Sequence, residues 1–483
     1  MSSTPARNGG DGGSPPPPGR APEGTLVRRL GLWSAISLMV SSMVGQGIFT
    51  TSGFMGHDLR HPPTVLALWA IGGLLALAGS LSYAELGVLI PRAGGEYAYL
   101  HRAFGPLAGF LSGWASFLAG FSAPTALCAI VLVECASDFF PALDPDAGSA
   151  AAWKLDLIPG AEPLPAGLLV GSGVILLLSL AHLRSVGLGV RVQNTLTLLK
   201  IAVVGLLVAA ALASGRADVA LLSSGEPLPA LEAAPLAGRA LLFVMMAYSG
   251  WNATSYMAGE VQDPRRVLPR AAVTGTLSVA VLYLLLNVAY FMAIPAGEMD
   301  PSPDVAVLAA NHYFGAEGSL IISFVILVTQ FGTISALVLA GSRVYYAMAE
   351  DGLAWRGLAK LSGPGRAPGR AVALQGLTAA LMVLFIGDFE SLVLYAAIIL
   401  VLFSALSVAA LPVLRRRIQA PPDSYGAPRG APLLYITGSA AMLVSGGIFI
   451  WATDPKGALL AAGSILLGIP LYLLVRRVNG TKP

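Results

Sequence analysis

The chain has 483 residues, of which 55% are hydrophobic and only 11% are charged, and its mean hydropathy is +0.73. Soluble domains carry about 25% charged residues, so the composition excludes an ordinary soluble protein. The formal net charge is +3. Because no basic stripe with interleaved aromatic residues accompanies this charge, the sequence predicts no nucleic-acid partner.

The first 28 residues, which include "GGDGGSPPPPGR", are rich in Pro and Gly and are predicted to form a disordered cytoplasmic tail. Apolar runs of about 20 residues, the length that crosses a bilayer, follow along the rest of the chain. They predict an all-α membrane protein with twelve transmembrane helices. The expected spans are Gly31–Gly56, Thr64–Ile90, Pro106–Phe139, Leu164–His182, Arg191–Ala213, Pro235–Gly259, Arg270–Ile294, Gly318–Ala349, Ala371–Ile386, Phe389–Leu414, Pro432–Ala452 and Gly457–Val475.

The distribution of positive charge predicts the orientation of these spans. The chain has 29 Lys and Arg residues, and most of them fall in alternate loops beginning with the N-terminal tail. Cytoplasmic loops are the ones enriched in Lys and Arg. We therefore expect both termini in the cytoplasm and the protein in the cell inner (plasma) membrane. The opposite loops carry only Arg60, Lys154, Arg216, Arg239 and Lys456.

Two of the expected spans contain residues that weaken a helix at its centre. The first span includes "SSMVGQGIFTTSGF", in which Gly45 and Gly47 flank Gln46, and the sixth includes "FVMMAYSGWNATSYMAGE". Glycines also serve as close-packing points between membrane helices, and this reading applies to "GPLAGFLSG" in the third span. Interruptions at matching positions of two halves instead indicate an inverted-repeat transporter with its site at the membrane midplane. Free N–H groups there attract a carboxylate and free carbonyls accept from an ammonium, as a zwitterionic amino acid requires.

At these residues the sequence resembles the amino acid–polyamine–organocation superfamily, and within it the L-type amino acid transporter group. The similar segments are "VGQGIF", "SYAELGVLIPRAGGEYAYLHRAFGP" and "AYSGWNATSYMAGEVQDPRRVLPRA". The resemblance implies a LeuT-type fold with a 5+5 inverted repeat, discontinuous helices 1 and 6 and two further C-terminal helices. The implied units are a first repeat at 29–214, a second repeat at 235–414, helices 11 and 12 at 432–475 and a cytoplasmic C-terminus at 476–483.

The resemblance also implies residue roles. The amides of Gly45, Gln46 and Gly47 would bind a substrate carboxylate, and the carbonyls of Met43, Val44, Met246 and Ser249 would bind its amine. Asn252 would orient the unwound segment or reach the substrate.

Three positions depart from the pattern of the group. Gln46 replaces the usual small residue, and it is expected either to bind substrate or to cap the freed backbone, with capping favoured. Met246 replaces the usual aromatic gate, so that either Met246 itself gates the site more loosely or Tyr248 or Trp251 takes over the gating. The loop after the third span lacks the cysteine that human members use, so no disulfide-linked heavy subunit is expected.

Lys200 is the basic residue placed deepest within an expected span. An unpaired charge at that depth costs at least about 2.5–3.5 kcal/mol, so we expect it to face the bundle interior and find acceptors. By resemblance, a lysine here occupies the space of a sodium ion and donates to carbonyls near Val44 and to Ser335. The alternative is an interfacial lysine that snorkels. Arg343 is expected to be an inner-surface anchor, and Glu85 and Glu134 to be structural carboxylates.

These features together predict a sodium-independent amino acid transporter that works by exchange or proton symport through alternating access. A polyamine or cationic amine exchanger is an alternative, although no acidic residue adjoins either break. An amino-acid-sensing transceptor is another. No nucleophile–base pair or metal-type spacing indicates an enzyme, and no cofactor is expected. Cys128 and Cys135 are expected to be packing thiols.

Overall fold

The structure, a computed structural model, describes residues 28, 30–144, 153–155, 163–184, 186–299, 305–361, 368–386, 389–420 and 424–479. Residues 1–27, most of the expected disordered tail, lie outside the described residues, as do 480–483. The described part is almost entirely helical. Its α-helices are α1 Leu32–Met43, α2 Gln46–Leu59, α3 Pro62–Leu89, α4 Glu96–Phe104, α5 Pro106–Ala115, α6 Ala123–Ser137, α7 Ala166–Arg184, α8 Val186–Ala213, α9 Ala230–Ala247, α10 Ala253–Tyr256, α11 Pro264–Ala293, α12 Val305–Phe314, α13 Ala316–Glu350, α14 Gly369–Phe385, α15 Phe389–Arg417, α16 Gly430–Thr453 and α17 Pro455–Asn479.

Short elements fill some of the connections. A π-helix at Ser116–Ser122 joins α5 to α6 within the third expected span. The strands β1 Lys154–Leu155 and β2 Leu164–Pro165 form an antiparallel pair. Short 3-10 helices occur at Pro141–Leu143, Val219–Ser223, Ala258–Glu260, Ala296–Glu298 and Arg356–Ala359.

Ten helical segments of the described residues are long and apolar enough to cross a membrane. They correspond to ten of the twelve expected spans. The fifth and ninth expected spans correspond to α8 and α14, whose apolar stretches Leu198–Ala213 and Gly369–Phe385 are shorter. Large apolar side chains also face outward, including Leu177, Leu212 and Phe385, which are 66%, 75% and 77% exposed. An apolar exterior of this kind suits lipid rather than water, so the chain is a multi-pass membrane protein.

The helices that flank the two interruptions form one contiguous group. In this first helix group, α3 packs along α11, α1 packs on α11 and α10, and α2 packs on α9. A second helix group is built from α6, α7, α13 and α14, which contact one another in the same way. Helix α8 contacts α1 and α11 of the first group and α13 of the second. It therefore lies where the two groups meet.

The start of the first span is joined to the end of the sixth by backbone pairing. The N–H of Leu30 donates to the carbonyl oxygen of Glu260 at 2.9 Å, and the N–H of Gln262 donates to that of Leu30 at 2.9 Å. Leu30 and Val261 thus form a parallel bridge directly before α1. The bridge holds the entry of α1 against the segment that follows α10.

Candidate functional site

The first expected span is interrupted at Val44 and Gly45. Helix α1 ends at Met43, and the N–H groups of Val44 and Gly45 donate to the carbonyls of Val40 and Met43, each at 2.8 Å. Helix α2 then starts at Gln46 without a side-chain cap. The N–H groups of its first turn have no acceptor earlier in their own helix. In the part of the chain that the structure describes, those of Gln46, Gly47 and Ile48 donate to no backbone carbonyl, and the N–H of Gln46 lies near the thiol of Cys128. They form a buried patch of partial positive charge.

The sixth expected span is interrupted over Tyr248–Asn252, between α9 and α10. The N–H of Ser249 donates to the carbonyl of Met246 at 3.0 Å, and the N–H of Ala253 donates to that of Gly250 at 3.0 Å. Gly250 has φ of +106°, which favours glycine over other residues. The carbonyl oxygens of Val44 and Ser249 accept no hydrogen bond from any residue in the described ranges. Each interruption therefore presents an unpaired acceptor.

The two interruptions touch each other. A Cβ atom added to Gly47 would lie 2.5 Å from the Cα atom of Ala247, and one added to Gly250 would lie 2.6 Å from the carbonyl carbon of Ser42. Only a hydrogen atom fits at these two positions. The close approach brings the free N–H groups of α2 next to the end of α9, and the sequence spacing alone did not reveal this contact.

Tyr283 on α11 joins the helix ends that flank the interruptions. Its hydroxyl lies 2.6 Å from the carbonyl oxygen of Met43 and 3.1 Å from that of Ala247, so its one proton is shared between them. Met43 was expected to offer its carbonyl to a substrate amine. That oxygen is already engaged by Tyr283 and by the N–H of Gly45, which leaves Val44 and Ser249 as the unpaired acceptors.

Lys200 is fully buried where α8 meets both helix groups. Its Nζ donates to the carbonyl oxygen of Ser41 at 3.1 Å and to the hydroxyl of Thr333 at 2.5 Å. The expected carbonyl acceptor near Val44 is therefore found in the first helix, at Ser41, whereas the hydroxyl acceptor is Thr333 and not the expected Ser335. Residues two apart on a helix point in nearly opposite directions. Thr333 faces α8, whereas the hydroxyl of Ser335 pairs with Nε2 of His182 on α7 at 2.8 Å.

Gln46 turns its side chain toward the third span and does not cap the freed backbone. Its amide oxygen accepts from the thiol of Cys128 at 3.0 Å, and the residue is 7% exposed. The expectation that favoured capping is therefore wrong. A helix N-terminus leaves free N–H groups, and an amide oxygen pointing away from them leaves those groups available to a ligand.

The side chains of the three gating candidates contact different parts of the protein. Tyr248 donates to the carbonyl of Trp69 on α3 at 3.2 Å. The ring of Trp251 lies between those of Tyr83 and Tyr435, with centroids 4.8 Å and 5.5 Å away. Met246 lines a small cavity together with Ser249, Asn252 and Glu96. Of the three candidates, Met246 and Trp251 therefore border this space.

Asn252 is held by a carboxylate that sequence reasoning overlooked. Its Nδ2 donates to Oε1 of Glu96 at 3.1 Å and to the hydroxyl of Tyr256 at 2.9 Å. Glu96 begins α4 in the segment "AGGEYAY", and Tyr83 donates to the same Oε1 at 2.8 Å. These bonds connect the unwound segment to α4 and α3, and the two roles expected for Asn252, orienting the segment or reaching the substrate, stay predictions.

The π-helix of the third span faces the same region. Gly120 and Phe121 line a second small cavity with Ser42, Ser249 and Gly250, and the rings of Phe121 and Tyr256 meet at 5.0 Å. Pro124 lacks an N–H and cannot donate to the carbonyl of Gly120, which explains why the regular helix is disturbed here. Such π segments often mark functional sites, and Pro124 was the available sequence signal.

An ion network joins three elements at the end of the molecule where α2 terminates and α15 begins. Arg239 on α9 is 8% exposed and contacts the carboxylates of Asp58 on α2 and Glu390 on α15. Its guanidinium also lies 5.3 Å from the ring centroids of Phe243 and Phe449. Arg239 was counted with the loop charges, but it lies inside α9. We call Arg239, Asp58 and Glu390 the outer network.

Ion pairs also join the two helix groups at the opposite end. Nε of Arg343 on α13 lies 2.9 Å from a carboxylate oxygen of Glu260, and the arginine is 2% exposed, so it is no inner-surface anchor. Arg92 binds Asp351 at 2.8 Å. Burial raises the pKa of Asp351, but hydrogen bonds from His101, Arg92 and Tyr97 outweigh it, so that the pKa lies below its ordinary value.

Other expected features have simpler outcomes. Glu85 forms a bidentate ion pair with Arg415, as expected of a structural carboxylate. Nε and Nη2 of the arginine each lie 2.7 Å from a carboxylate oxygen. Cys128 and Cys135 are free and buried. Within the described ranges, no group of three His, Cys, Asp or Glu residues could hold a metal ion.

Three known proteins to which the chain is similar are named as amino acid transporters or exchangers. The chain is 29% identical over 402 residues to the human b(0,+)-type amino acid transporter 1, covering 81% of this chain and 77% of that protein. It is 28% identical over 454 residues to the serine/threonine exchanger SteT of Bacillus subtilis, covering 92% and 96%. It is also 28% identical over 471 residues to the human large neutral amino acids transporter small subunit 2, covering 96% and 84%.

The sequence profile of the amino acid permease family matches residues 30–471, which includes both interrupted spans. The relatives are transporters and exchangers, not enzymes. The chain therefore belongs to the amino acid permease family of the amino acid–polyamine–organocation superfamily.

Proposed function

We propose that this protein is a sodium-independent transporter of neutral α-amino acids that works by alternating access. The observation that carries the proposal is the contact between two interrupted helices, with free N–H groups at Gln46, Gly47 and Ile48 and unpaired carbonyls at Val44 and Ser249. A substrate carboxylate would bind the N–H groups, and its ammonium would bind the carbonyls.

The proposal assigns the remaining residues around this pair of interruptions. Gly45 connects α1 to α2 in an extended conformation, and Met246 and Trp251 border the space for the substrate side chain. Asn252 orients the unwound segment through Glu96. Tyr248 fixes that segment to α3. We assign Met43 a structural role beside the site and no contact with the substrate, because its carbonyl oxygen already accepts a hydrogen bond from Tyr283.

Sodium independence follows from Lys200. Its ammonium already supplies a positive charge between the first helix and α13, bound to Ser41 and Thr333. A sodium ion next to it would be repelled in a medium of low dielectric constant. Ser335 contributes indirectly, by holding His182 of α7 against α13.

The overall architecture in this proposal is a twelve-span LeuT-type fold with two five-helix repeats at 29–214 and 235–414. The first helix group would rock against the second group and α15, opening the Arg239–Glu390 pair of the outer network and the Arg343–Glu260 pair alternately. Both termini would lie in the cytoplasm, and the cell inner (plasma) membrane would be the location. No disulfide-linked heavy subunit is expected for this transporter.

Transport by exchange is the mode that we favour, because the Bacillus subtilis relative is named an exchanger. The cationic amine alternative is less favoured. Among the described residues that line the small cavities at the sixth interruption, Glu96 is the only carboxylate, and it already binds Asn252 and Tyr83. A transceptor would bind an amino acid at the same site without flux.

Uptake into proteoliposomes tests the proposal. Radiolabelled L-serine, L-threonine, L-leucine, L-arginine and putrescine would be offered to vesicles that are empty or preloaded with the same compound, in sodium or choline buffer. We expect neutral amino acids to exchange equally in both buffers. Binding without flux would support the transceptor, uptake of putrescine alone would support the amine exchanger, and a sodium requirement would refute the role given to Lys200.

A further inference from the structure

A buried carboxylate without a cationic partner lies directly behind the sixth-helix interruption. Glu96 is 1% exposed, and its Oε1 accepts from the hydroxyl of Tyr83 at 2.8 Å and from Nδ2 of Asn252 at 3.1 Å. Asn252 is the last residue of the unwound segment. A single buried oxygen therefore connects the second span, the short helix α4 and the interruption.

The groups that face Glu96 are phenols and an amide, not cations. They are Tyr83 on α3, Tyr99 on α4 itself, Asn252 and Tyr256 of the sixth span, and Tyr435 on α16. Within the described residues, no Lys, Arg or His forms an ion pair with Glu96. The cations on neighbouring elements are engaged elsewhere, Arg415 with Glu85, and Arg92 and His101 with Asp351.

An unpaired buried charge is costly, and a carboxylate in such a place takes up a proton more readily than one in water. Burial raises the pKa of Glu96 to about 7, against the opposing effect of hydrogen bonds from Tyr83, Tyr256 and Asn252. Glu85 differs, because Arg415 binds both of its oxygens. Of these two carboxyl groups, Glu96 is therefore the one whose ionised form is less stabilised by its surroundings.

Protonation of Glu96 changes how firmly the interruption is held. Hydrogen bonds to an ionised acceptor are about twice as strong as neutral ones. The added proton forms an O–H bond on the carboxyl group, and the hold on Asn252 weakens. The small cavity lined by Glu96, Met246, Ser249 and Asn252 places this change beside the proposed amino acid site.

We propose that Glu96 is a proton-binding site that regulates transport: its ionised form fixes Asn252 and the unwound segment, and its protonated form releases them. This inference rests on the proposed function, because it concerns the same interruption. It goes beyond that function by adding a proton as a second ligand, bound at a carboxyl group separate from Lys200. Transport is expected to be faster in acid than in alkali.

The test is the pH profile of L-serine exchange in proteoliposomes with equal pH on both sides, from about pH 5.5 to about pH 8.5, a range that brackets the titration of a buried carboxyl group. We expect a single sigmoidal fall in rate with rising pH. Glu96→Gln should remove this dependence and keep a rate near the acidic limit of the wild type. Glu317→Gln, which alters an exposed glutamate at the start of α13, should keep the wild-type profile.

A second variant keeps the inference testable if Glu96→Gln fails to insert. Tyr83→Phe removes a donor to the ionised form, so the midpoint of the profile should move to higher pH. An unmoved midpoint in Tyr83→Phe, or a wild-type profile in Glu96→Gln, would overturn the inference and leave the proposed function standing. Absence of exchange for every amino acid at every pH would instead refute the proposed function itself.

Discussion

The ammonium of Lys200 lies 2.5 Å from the hydroxyl oxygen of Thr333, and this bond links α8 to α13 in the middle of the protein. The other acceptor of the same ammonium is the carbonyl of Ser41 in α1. One side chain thus contacts the first helix, which is expected to move, and α13, which belongs to the second helix group.

Thr333→Val should therefore impair transport more than Ser335→Ala does. Valine has nearly the shape of threonine but cannot accept from Lys200, and a hydrogen bond that involves a charged group contributes about 1.5–3 kcal/mol. We expect initial L-serine exchange to fall about tenfold or more in Thr333→Val, as even the lower end of that range implies. Ser335→Ala affects only the bond to His182. Equal rates in the two variants would show that the threonine bond is unimportant.

Lys200→Ala should abolish or uncouple transport while the protein still inserts. The change removes both bonds and leaves the Ser41 carbonyl without this donor. Uptake and detergent gel filtration would be measured in parallel, with Lys360→Ala, a loop lysine, as the control. Wild-type uptake by Lys200→Ala would contradict the assigned role.

Gly47→Ala should disrupt the contact between the two interruptions. The new methyl group would lie 2.5 Å from the Cα atom of Ala247, so that backbone atoms must move apart. Overpacking typically costs about 1–3 kcal/mol. We expect a lower melting temperature in detergent and loss of most L-serine exchange. Gly173→Ala is the matched control, because no atom lies within 4 Å of the added group. Similar behaviour of the two variants would refute the close contact.

Tyr283→Phe should raise the KM for exchange about fivefold or more, because a lost hydrogen bond of about 1 kcal/mol loosens both helix ends. The two carbonyls that lose the hydroxyl are those of Met43 and Ala247. Tyr290→Phe lies two turns along the same helix and removes a buried hydroxyl that makes no hydrogen bond in the described part of the chain. It should behave as the wild type or be slightly more stable. A Tyr290→Phe defect matching that of Tyr283→Phe would show that ring packing, not the hydroxyl, matters.

Arg239→Met should open the outer side of the protein. The substitution keeps an apolar side chain against Phe243 and removes the ion pairs to Asp58 and Glu390. A cysteine introduced at Phe54, which stacks on Phe243, would report access through its labelling rate with a membrane-impermeant thiol reagent. Cys128 and Cys135 are buried and define the background.

In that assay we expect labelling to rise about fivefold or more, a shift of roughly 1 kcal/mol toward the open form. Arg216→Met is the control, because Arg216 is exposed and its side chain bonds only a backbone carbonyl, that of His312, within the described residues. If Arg239→Met and Arg216→Met label at the same rate, the outer network does not close the pathway.

Hydropathy predicted the helices well, because whether a segment can cross a membrane depends on its own length and apolar composition. Both can be read from the segment without knowledge of its neighbours in the fold. All twelve expected segments are helical, and ten meet the length and polarity expected of a span. The interruptions were also predictable from Gly45, Gly47 and Gly250. The partners of the polar groups were not. Asn252 and Glu96 are 156 positions apart, and Arg239 and Asp58 are 181 positions apart.

Local reasoning failed for Lys200 and Gln46 for a related reason. The sequence indicated that Lys200 would need acceptors, but the choice between Thr333 and Ser335 depends on the rotation of α13 about its axis. Gln46 was assigned a cap because its own helix begins there. The thiol that binds it belongs to a different span, 82 residues away.

The backbone bridge between Leu30 and Val261 has a mechanical consequence. Because Leu30 is bonded to both Glu260 and Gln262, the half of the first span that contains α1 and the half of the sixth span that contains α10 are mechanically coupled. Movement of either half alone would strain these two hydrogen bonds. A force applied to the chain just before Leu30, for example by a bulky fusion partner, would therefore act on both interruptions.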